Sequence, residues 1–185
     1  MLPRPLLILD IDETLIHGRE EPLDRPCEFL AGQYHIYERP HLNQFLQSVS
    51  ELYDLACWSS ATHDYLEIVV NTITKDLFSP LLFVWDRSRC TRRTDFTLQE
   101  EYFLKDLQKV KKKGYDLARV LILEDEPRKV NRHFGNAIFV KPYVGALDDD
   151  ELPKLASYLQ SVADVPNYRV LEKRNWRSLA RHQGT

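Results

Sequence analysis

Residues 6–15 read LLILDIDETL, an apolar run that ends abruptly in acidic residues. A continuous apolar run of this kind is typical of a strand that is buried on both faces of a parallel sheet. Asp10 and Asp12 follow the run and are separated by a single residue. Two carboxylates held so close together repel each other unless a cation lies beside them, and Mg²⁺ prefers carboxylate oxygens. The stretch therefore predicts a buried strand with a cation-binding site at its carboxyl end.

Further apolar runs alternate with segments whose apolar residues have helical spacing. The other predicted strands are residues 53–58, 81–85, 120–123 and 137–140. The predicted helices begin near Pro40, near Ser60 or Thr62, near Leu104, at Pro127 and after Asp150. Gly114 and Gly135 are placed to end the third and fourth of these helices. Strands that alternate with helices predict an α/β fold with a mainly parallel central sheet flanked by helices.

Polar residues also follow two of the later predicted strands. Ser59 and Ser60 come after the second strand, and Glu124 and Asp125 come at the end of the fourth. The carboxyl ends of parallel strands meet at one edge of an open α/β sheet, where its ligands bind. We therefore expect Asp125 to lie near the first acidic pair and to complete the cation site.

Five motifs carry a resemblance to a known family. They read LDIDETLIH at 9–17, RPHLNQFL at 39–46, CWSS at 57–60, KDL at 105–107 and VLILEDEP at 120–127. In order and spacing they resemble the motifs of the haloacid dehalogenase (HAD) superfamily. They are most similar to its FCP/SCP branch, the NLI-interacting-factor-like phosphatases related to those that act on the RNA polymerase C-terminal domain. The resemblance spans residues 5–160 and implies a HAD-like Rossmannoid fold.

The resemblance implies a role for each matching residue. Asp10 corresponds to the nucleophile and Asp12 to the general acid and base, while Ser59 and Lys105 correspond to the residues that bind the phosphoryl group. The implied metal ligands are Asp10, Asp12 and Asp125, with Thr14, Ser60 and Glu124 in supporting positions. The implied chemistry is Mg²⁺-dependent hydrolysis of a phosphomonoester through an aspartyl-phosphate. Superfamily members that cleave carbon–halogen bonds lack the second aspartate, so Asp12 favours phosphoryl transfer. Glu124 departs from the pattern of the branch, which usually has Asp there.

Other chemistries lack their signatures. A cysteine phosphatase needs an arginine six residues after its cysteine, and none of the three cysteines has one. The sequence contains no GxxxxGK[ST] motif, which excludes a P-loop kinase. The histidines show neither the HxxxH nor the HExxH spacing of a zinc site.

The stretches between the motifs bear on the substrate. Many superfamily members select small metabolites with a cap domain, inserted after the first motif or before the lysine motif. Leu15–Glu38 and Lys75–Leu104 are shorter than an independent domain, which usually needs ~50 residues or more. We therefore expect a capless site with a short hairpin insertion, open to a phosphorylated segment of another protein. The candidate substrate contacts are Arg87, Arg89, Arg92 and Arg93, whose guanidinium groups suit anions.

Two alternative functions stay open on the sequence. One is a small-molecule phosphatase, and the other is a catalytically idle phosphopeptide-binding module of the same fold. The intact set of Asp10, Asp12, Ser59, Lys105 and Asp125 argues against the idle module.

The composition suits one domain. Of the 185 residues, 43% are hydrophobic and 29% are charged, and we assign residues 1–165 to a phosphatase domain and 166–185 to a basic tail. A net charge of −3 argues against direct nucleic-acid binding, and no apolar stretch is long enough for a membrane span. Together with cysteines that form no CxxC pair, these features predict a soluble, intracellular protein, with the cytoplasm as the expected compartment. No sequence feature indicates an oligomeric state.

Overall fold

The computed structural model describes residues 3–179, in which strands and helices alternate along the chain. The strands are β1 (Leu6–Leu9), β2 (Ile16–Arg19), β3 (Phe29–Ala31), β4 (Tyr34–Glu38), β5 (Asp54–Trp58), β6 (Val84–Trp85), β7 (Thr91–Asp95), β8 (Glu100–Leu104), β9 (Val120–Glu124) and β10 (Ala137–Phe139). The α-helices are α1 (Leu42–Leu52), α2 (His63–Ile73), α3 (Gln108–Lys112), α4 (Glu151–Val162) and α5 (Trp176–Leu179).

The central sheet has the strand order β10-β9-β1-β5-β6, and all of its strands run parallel. In the centre, Leu7 of β1 pairs with Leu55 of β5 and with Leu121 of β9. This architecture confirms the predicted α/β fold with a parallel sheet flanked by helices. Because the strands are parallel, Asp10, Ser59 and Glu124 emerge at the same edge of the sheet.

The two faces of the sheet are covered by separate parts of the core. Leu7 and Leu9 point to the face covered by α1, α2 and α4, whereas Leu6 and Ile8 point to the face that contains Trp58. Alternate residues of β1 therefore pack in opposite directions, and all four are buried. Burying such a side chain contributes about 1.5–3 kcal/mol, which explains the unbroken apolar run in the sequence.

Two small antiparallel sheets occupy the stretches between the motifs. Strands β2, β4 and β3 form one sheet between residues 15 and 38, and β7 and β8 form a hairpin between residues 75 and 104. Gly32, at a φ of 61°, lies in the tight turn between β3 and β4. Neither stretch builds a covering domain, so the molecule is capless with a short hairpin insertion, as expected.

The helix predicted from Pro127 to Gly135 does not form. The chain instead makes two short 3-10 turns, Pro127–Val130 and Phe134–Asn136. The carbonyl of Lys129 accepts a hydrogen bond from the backbone N–H of Lys105 at 2.7 Å, so it is not free to continue a helix. This contact between distant parts of the chain overrides the local helical pattern.

The C-terminal segment packs on the domain instead of forming a solvated tail, as far as residue 179. Trp176 is buried, its ring lies 6.0 Å from that of Tyr158 in α4, and its Nε1 donates to the carbonyl of Phe139 at 2.9 Å. Tyr168 is buried as well. As far as residue 179, the basic tail assigned from the sequence is therefore anchored by aromatic side chains that reach the core. Residues 180–185, with Arg181, lie outside the described part of the chain.

None of the helices between residues 3 and 179 combines the length and the apolar character that crossing a membrane requires.

A buried ion pair ties the loop after β1 to the loop before α4. The guanidinium of Arg39 donates twice to Asp149, at 2.7 and 2.9 Å, and once to the carbonyl of Thr14, at 2.9 Å. Burial raises the pKa of Asp149, but the hydrogen bonds and charge of Arg39, together with the backbone N–H of Glu151 and the charge of Lys141, lower the pKa overall. Arg39 therefore holds the loop behind the acidic motif in place.

We expect Asp149→Asn to lower the free energy of unfolding at pH 7 by about 3–5 kcal/mol, because it leaves the buried guanidinium of Arg39 without its carboxylate. The folded-state pKa of Asp149 lies below its ordinary value, so this stabilisation is present above about pH 4 and disappears as the pH falls through the folded pKa. Urea denaturation at several pH values measures both effects. The exposed neighbour Asp148 provides the control Asp148→Asn, and equal losses in the two variants would contradict the assignment.

Candidate active site

A buried triad of charges lies at the carboxyl ends of β1 and β9. Asp10 follows β1, Glu124 ends β9, and the ammonium of Lys105 lies between them. Nζ of Lys105 is 2.7 Å from Oδ1 of Asp10 and 2.7 Å from Oε2 of Glu124. All three side chains are almost completely buried, so each charge depends on the others for compensation. The structure thus brings the lysine of the KDL motif directly against the expected nucleophile.

Asp12 lies next to the triad, with its carboxylate directed towards α2. The hydroxyl of Tyr65 donates to Oδ1 of Asp12 at 2.7 Å, and the hydroxyl of Ser59 lies 3.4 Å from Oδ2. Oγ of Ser59 also accepts the backbone N–H of Ala61 at 3.0 Å. The loop after β5 therefore positions Ser59 beside the expected general acid and base.

The turn that carries the two aspartates has an unusual backbone. Glu13 has a φ of 58°, in the left-handed region that residues with a Cβ avoid. The backbone N–H groups of Leu15 and Ile16 both donate to the carbonyl of Ile11, at 2.8 and 3.2 Å. Strain of this kind persists where the surrounding structure demands it, and it is common at functional sites. The turn fixes Asp10 and Asp12 close together.

The expected supporting residues lie behind and beside this turn. Thr14 is completely buried, and its carbonyl accepts a hydrogen bond from Arg39. Within residues 3–179, its hydroxyl has no hydrogen-bond partner. Ser60 borders the cleft beside Asp12, and its carbonyl accepts from Nε of Arg87 at 2.6 Å.

The carboxylates of Asp10, Glu124 and Asp125 form an acidic cluster, each contributing an oxygen within 4.8 Å of the others. Oδ2 of Asp10 is buried and, within residues 3–179, accepts no hydrogen bond. Such a set of oxygens, one of them unpartnered, fits a hard divalent cation. The sequence places Asp12 rather than Glu124 among the ligands, whereas here the Asp12 carboxylate is bonded to Tyr65. The role of Asp12 as a ligand stays a prediction.

A second lysine faces the acidic cluster. Nζ of Lys129 lies 3.4 Å from Glu124, 3.5 Å from Asp125 and 3.9 Å from Asp10. Burial lowers the pKa of Lys129, but the surrounding carboxylates outweigh burial and raise the pKa overall, so the side chain stays an ammonium.

Burial shifts the acidity of both aspartates. It raises the pKa of Asp10 from its ordinary value of 3.8 to about 6, with the Glu124 charge adding to the shift and Lys105 opposing it. Burial also raises the pKa of Asp12, against the opposing hydrogen bond from Tyr65. At neutral pH Asp10 is therefore mostly ionised, as a nucleophile must be, whereas the raised pKa of Asp12 suits a proton donor.

A cleft of about 270 Å³ opens beside the catalytic candidates. Its lining residues are Asp12, Glu13, Gly18, Tyr34, Ser60, Ala61, Thr62, Tyr65 and Arg87. A larger cavity, of about 550 Å³, lies between Phe139 and the C-terminal segment and contains none of the expected site residues. Of these two cavities, the smaller cleft borders the catalytic candidates and is therefore the candidate active site.

The four arginines of the insertion have different surroundings. Arg87 borders the cleft, and its guanidinium lies 4.8 Å from the centre of the Phe103 ring. Arg89 lies over Trp85, Arg92 pairs with Glu101 on the hairpin, and Arg93 is exposed. The structure therefore brings one of the four, Arg87, to the candidate site.

Sequence reasoning missed two residues of the site. The motifs include neither Tyr65, whose hydroxyl reaches Asp12, nor Lys129, whose ammonium faces the acidic cluster. Tyr65 follows Ser59 by six residues, at the start of a helix that begins at the catalytic edge of the sheet. Lys129 follows Asp125 by four residues, a spacing that returns a side chain to the same side of a turn.

The fold resembles that of solved structures. A structure of a variant of the fission yeast RNA polymerase II CTD phosphatase Fcp1 bound to beryllium fluoride aligns with a TM-score of 0.58, at 22% identity, over 97% of this chain and 61% of that chain. This likeness defines the class of fold, the HAD-like α/β fold of that phosphatase.

The family follows from the sequence match. The model of the NLI interacting factor-like phosphatase family matches residues 5–169, and the chain belongs to this family. It is 29% identical over 181 residues to nuclear envelope morphology protein 1 of Schizosaccharomyces pombe, covering 92% of this chain and 36% of that protein. It is 28% identical over 176 residues to the human carboxy-terminal domain RNA polymerase II polypeptide A small phosphatase 1, covering 90% of this chain and 63% of that protein. The chain thus spans less than two thirds of these relatives.

We expect the raised pKa of Asp10 to make the contribution of this residue to the stability of the metal-free protein less favourable at neutral than at acidic pH. Because the folded pKa of about 6 exceeds the ordinary 3.8, the unfolded chain releases this proton first. Asp10→Asn abolishes this effect, so its stability relative to the wild type should increase by roughly 2.4 kcal/mol between pH 4 and pH 8.

Urea denaturation in EDTA across this pH range measures the difference. Asp148→Asn serves as the control, since Asp148 is exposed and lies away from the acidic motif in sequence. A difference between Asp10→Asn and wild type that does not change with pH would contradict the assignment.

Proposed function

We propose that this protein is a Mg²⁺-dependent phosphomonoester hydrolase that acts on phosphorylated protein segments through an aspartyl-phosphate intermediate. The observation that carries the proposal is the state of Asp10. Its carboxylate is buried, Lys105 holds Oδ1 at 2.7 Å, and Oδ2 accepts no hydrogen bond from residues 3–179. One oxygen is thus anchored while the other is left for the reaction.

The reaction consists of two displacements at phosphorus. In the first, a carboxylate oxygen of Asp10 forms a bond to phosphorus while the bond to the leaving oxygen breaks and Asp12 donates its proton to that oxygen. In the second, Asp12 takes a proton from water, the water oxygen bonds to phosphorus, and the bond to Asp10 breaks. Lys105 and the hydroxyl of Ser59 stabilise negative charge on the transferred group. Tyr65 holds Asp12 in place through its hydrogen bond of 2.7 Å.

The acidic residues of the site suit the proposed cation. Four carboxylates, those of Asp10, Asp12, Glu124 and Asp125, face the two ammonium groups of Lys105 and Lys129, so negative charge is in excess. We assign Asp10, Asp12 and Asp125 as the residues that hold Mg²⁺, with Glu124 supporting Lys105. When bound, the metal supplies positive charge that offsets the charge of the phosphoryl oxygens.

The open architecture supports a protein substrate. The insertions on both sides of the site are small sheets, and the cleft of about 270 Å³ is at or below the lower limit of typical small-molecule pockets. Such a cleft suits a phosphorylated side chain that projects from a larger partner. The names of several relatives refer to phosphatases of the RNA polymerase II C-terminal domain. The two alternatives are a small-molecule phosphatase and an idle binding module. Activity assays distinguish both of them from a phosphatase that acts on proteins.

The cellular location belongs to this proposal as well. We keep the intracellular location expected from the sequence, and the name of one relative refers to the nuclear envelope. Imaging of the tagged protein in cells distinguishes the cytoplasm from the nuclear envelope.

We predict that Asp10→Asn abolishes turnover of an aryl phosphate, because an amide is not nucleophilic enough to attack phosphorus. Asp12→Asn should retain the first displacement with a good leaving group and accumulate phospho-enzyme, since the second displacement lacks its base. Activity measured with Mg²⁺ and with EDTA, and intact mass measurement of the phospho-enzyme, test these expectations. Wild-type rates in Asp10→Asn, or full activity in EDTA, would refute the mechanism.

We predict that Arg87→Ala lowers kcat/KM for a phosphopeptide about tenfold or more, because a charge-assisted contact is worth roughly 1.5–3 kcal/mol. The loss on an aryl phosphate should be smaller, since that substrate has no further anionic or polar groups to contact. Arg93→Ala on the exposed hairpin is the matched control and should leave both substrates unaffected. Equal losses on both substrates in Arg87→Ala would mean that Arg87 binds the phosphoryl group itself.

A further inference from the structure

Lys129 reaches back from the turn after β9 into the acidic cluster. It lies on the short 3-10 turn Pro127–Val130, four residues after Asp125, and its side chain is only 14% exposed. The backbone N–H of Lys105 donates a hydrogen bond to the carbonyl of Lys129 at 2.7 Å, which fixes the backbone of Lys129 next to that of Lys105. The position of Lys129 is therefore built into the fold.

The ammonium of Lys129 contacts every member of the acidic cluster. It lies 3.9 Å from Oδ2 of Asp10, 3.4 Å from Oε1 of Glu124 and 3.5 Å from Oδ1 of Asp125. Lys105 binds the opposite oxygens, Oδ1 of Asp10 and Oε2 of Glu124, at 2.7 Å. The two lysines thus divide the oxygens between them, and Lys129 faces those that Lys105 leaves free.

The contacts of Lys129 are longer than those of Lys105. At 3.4–3.9 Å they reach or exceed the limit of a hydrogen bond, so they are largely electrostatic. Because these contacts are long, the ammonium of Lys129 can move away from the acidic cluster if another carboxylate pairs with it. Glu126, whose Oε2 lies 3.4 Å from the ammonium and whose side chain is 30% exposed, offers that second position nearer the solvent.

Two cations cannot share these oxygens. Mg²⁺ binds carboxylate oxygens at about 2.0–2.1 Å and would bring its charge within a few ångströms of the ammonium, where the two repel each other. Metal binding therefore requires Lys129 to move away from the cluster.

We propose that Lys129 is an internal competitor for the metal: its ammonium neutralises the acidic cluster in the metal-free protein and is displaced towards Glu126 when Mg²⁺ binds. This inference rests on the proposed metal-dependent function. Competition from Lys129 should make the affinity of the chain for Mg²⁺ weaker than its carboxylates alone would give. The same ammonium should stabilise the metal-free state.

The test is isothermal titration of the full chain with Mg²⁺, starting from protein treated with EDTA. Lys129→Met keeps the length of the side chain and removes its charge, and the Kd for Mg²⁺ should fall about tenfold or more. Lys129→Arg keeps the charge and should not tighten binding. Lys112→Met is the matched control, because it removes one positive charge from an exposed lysine of α3, and it should leave the Kd for Mg²⁺ unchanged.

A second measurement follows thermal unfolding with and without Mg²⁺. In EDTA, Lys129→Met should unfold at a lower temperature than the wild type, since the acidic cluster loses its cation. Mg²⁺ should then raise the Tm of Lys129→Met by more than it raises the Tm of the wild type. An unchanged or weaker Mg²⁺ affinity in Lys129→Met would overturn the inference. If the variant instead loses beryllofluoride affinity at an unchanged Kd for Mg²⁺, Lys129 serves the phosphoryl group and the inference is wrong.

A different result is expected if the proposed metal-dependent function itself is wrong. Absence of Mg²⁺ binding in the wild type and in every variant, together with aryl-phosphatase activity in EDTA, would overturn the metal-dependent function and this inference with it.

Discussion

The ammonium of Lys105, buried between Asp10 and Glu124, is the interaction on which the site and the sheet both depend. A buried charge is tolerated only when its partners are in place, and here the partners come from two adjacent parallel strands. A shift of β9 by one residue against β1 would turn Glu124 to the opposite face of the sheet and leave the ammonium unpaired. The geometry of the candidate active site therefore depends on the register of the central sheet.

Excess negative charge is a further consequence of this arrangement. The acidic residues at the strand ends are held close together before any substrate or metal arrives. Burial raises the pKa of Asp10, and the charge of Glu124 adds to the shift, so the ionised form is disfavoured. The turn at Glu13, with its left-handed backbone, adds local strain. Both features oppose folding, and the buried strands around them must supply the compensating stability.

Much of this organisation could be predicted from the sequence, because the central strands are continuous apolar runs whose ends carry distinctive motifs. Strands β2 to β4 were missed, since they are short and half-exposed, and their pairing is set by contacts rather than by pattern. The helix expected after Pro127 failed because a tertiary hydrogen bond takes the carbonyl of Lys129. The ring of Tyr65 follows the apolar spacing of α2, so the sequence does not reveal that its hydroxyl donates a hydrogen bond to Asp12. Local patterns predict the main strands and most of the helices, but not which polar atom reaches across to another element.

The C-terminal segment has a consequence for how the molecule behaves in a crowded solution. Strand β10 is at the end of the sheet, and an unpaired strand edge is a template for β-pairing between molecules. Trp176 and Arg177 donate hydrogen bonds to the carbonyl of Phe139 on this strand, and the indole lies buried against the same core. The segment therefore covers part of the β10 edge and limits its pairing with strands of other molecules. We expect a chain shortened before Trp176 to keep every candidate catalytic residue described above but to aggregate more readily.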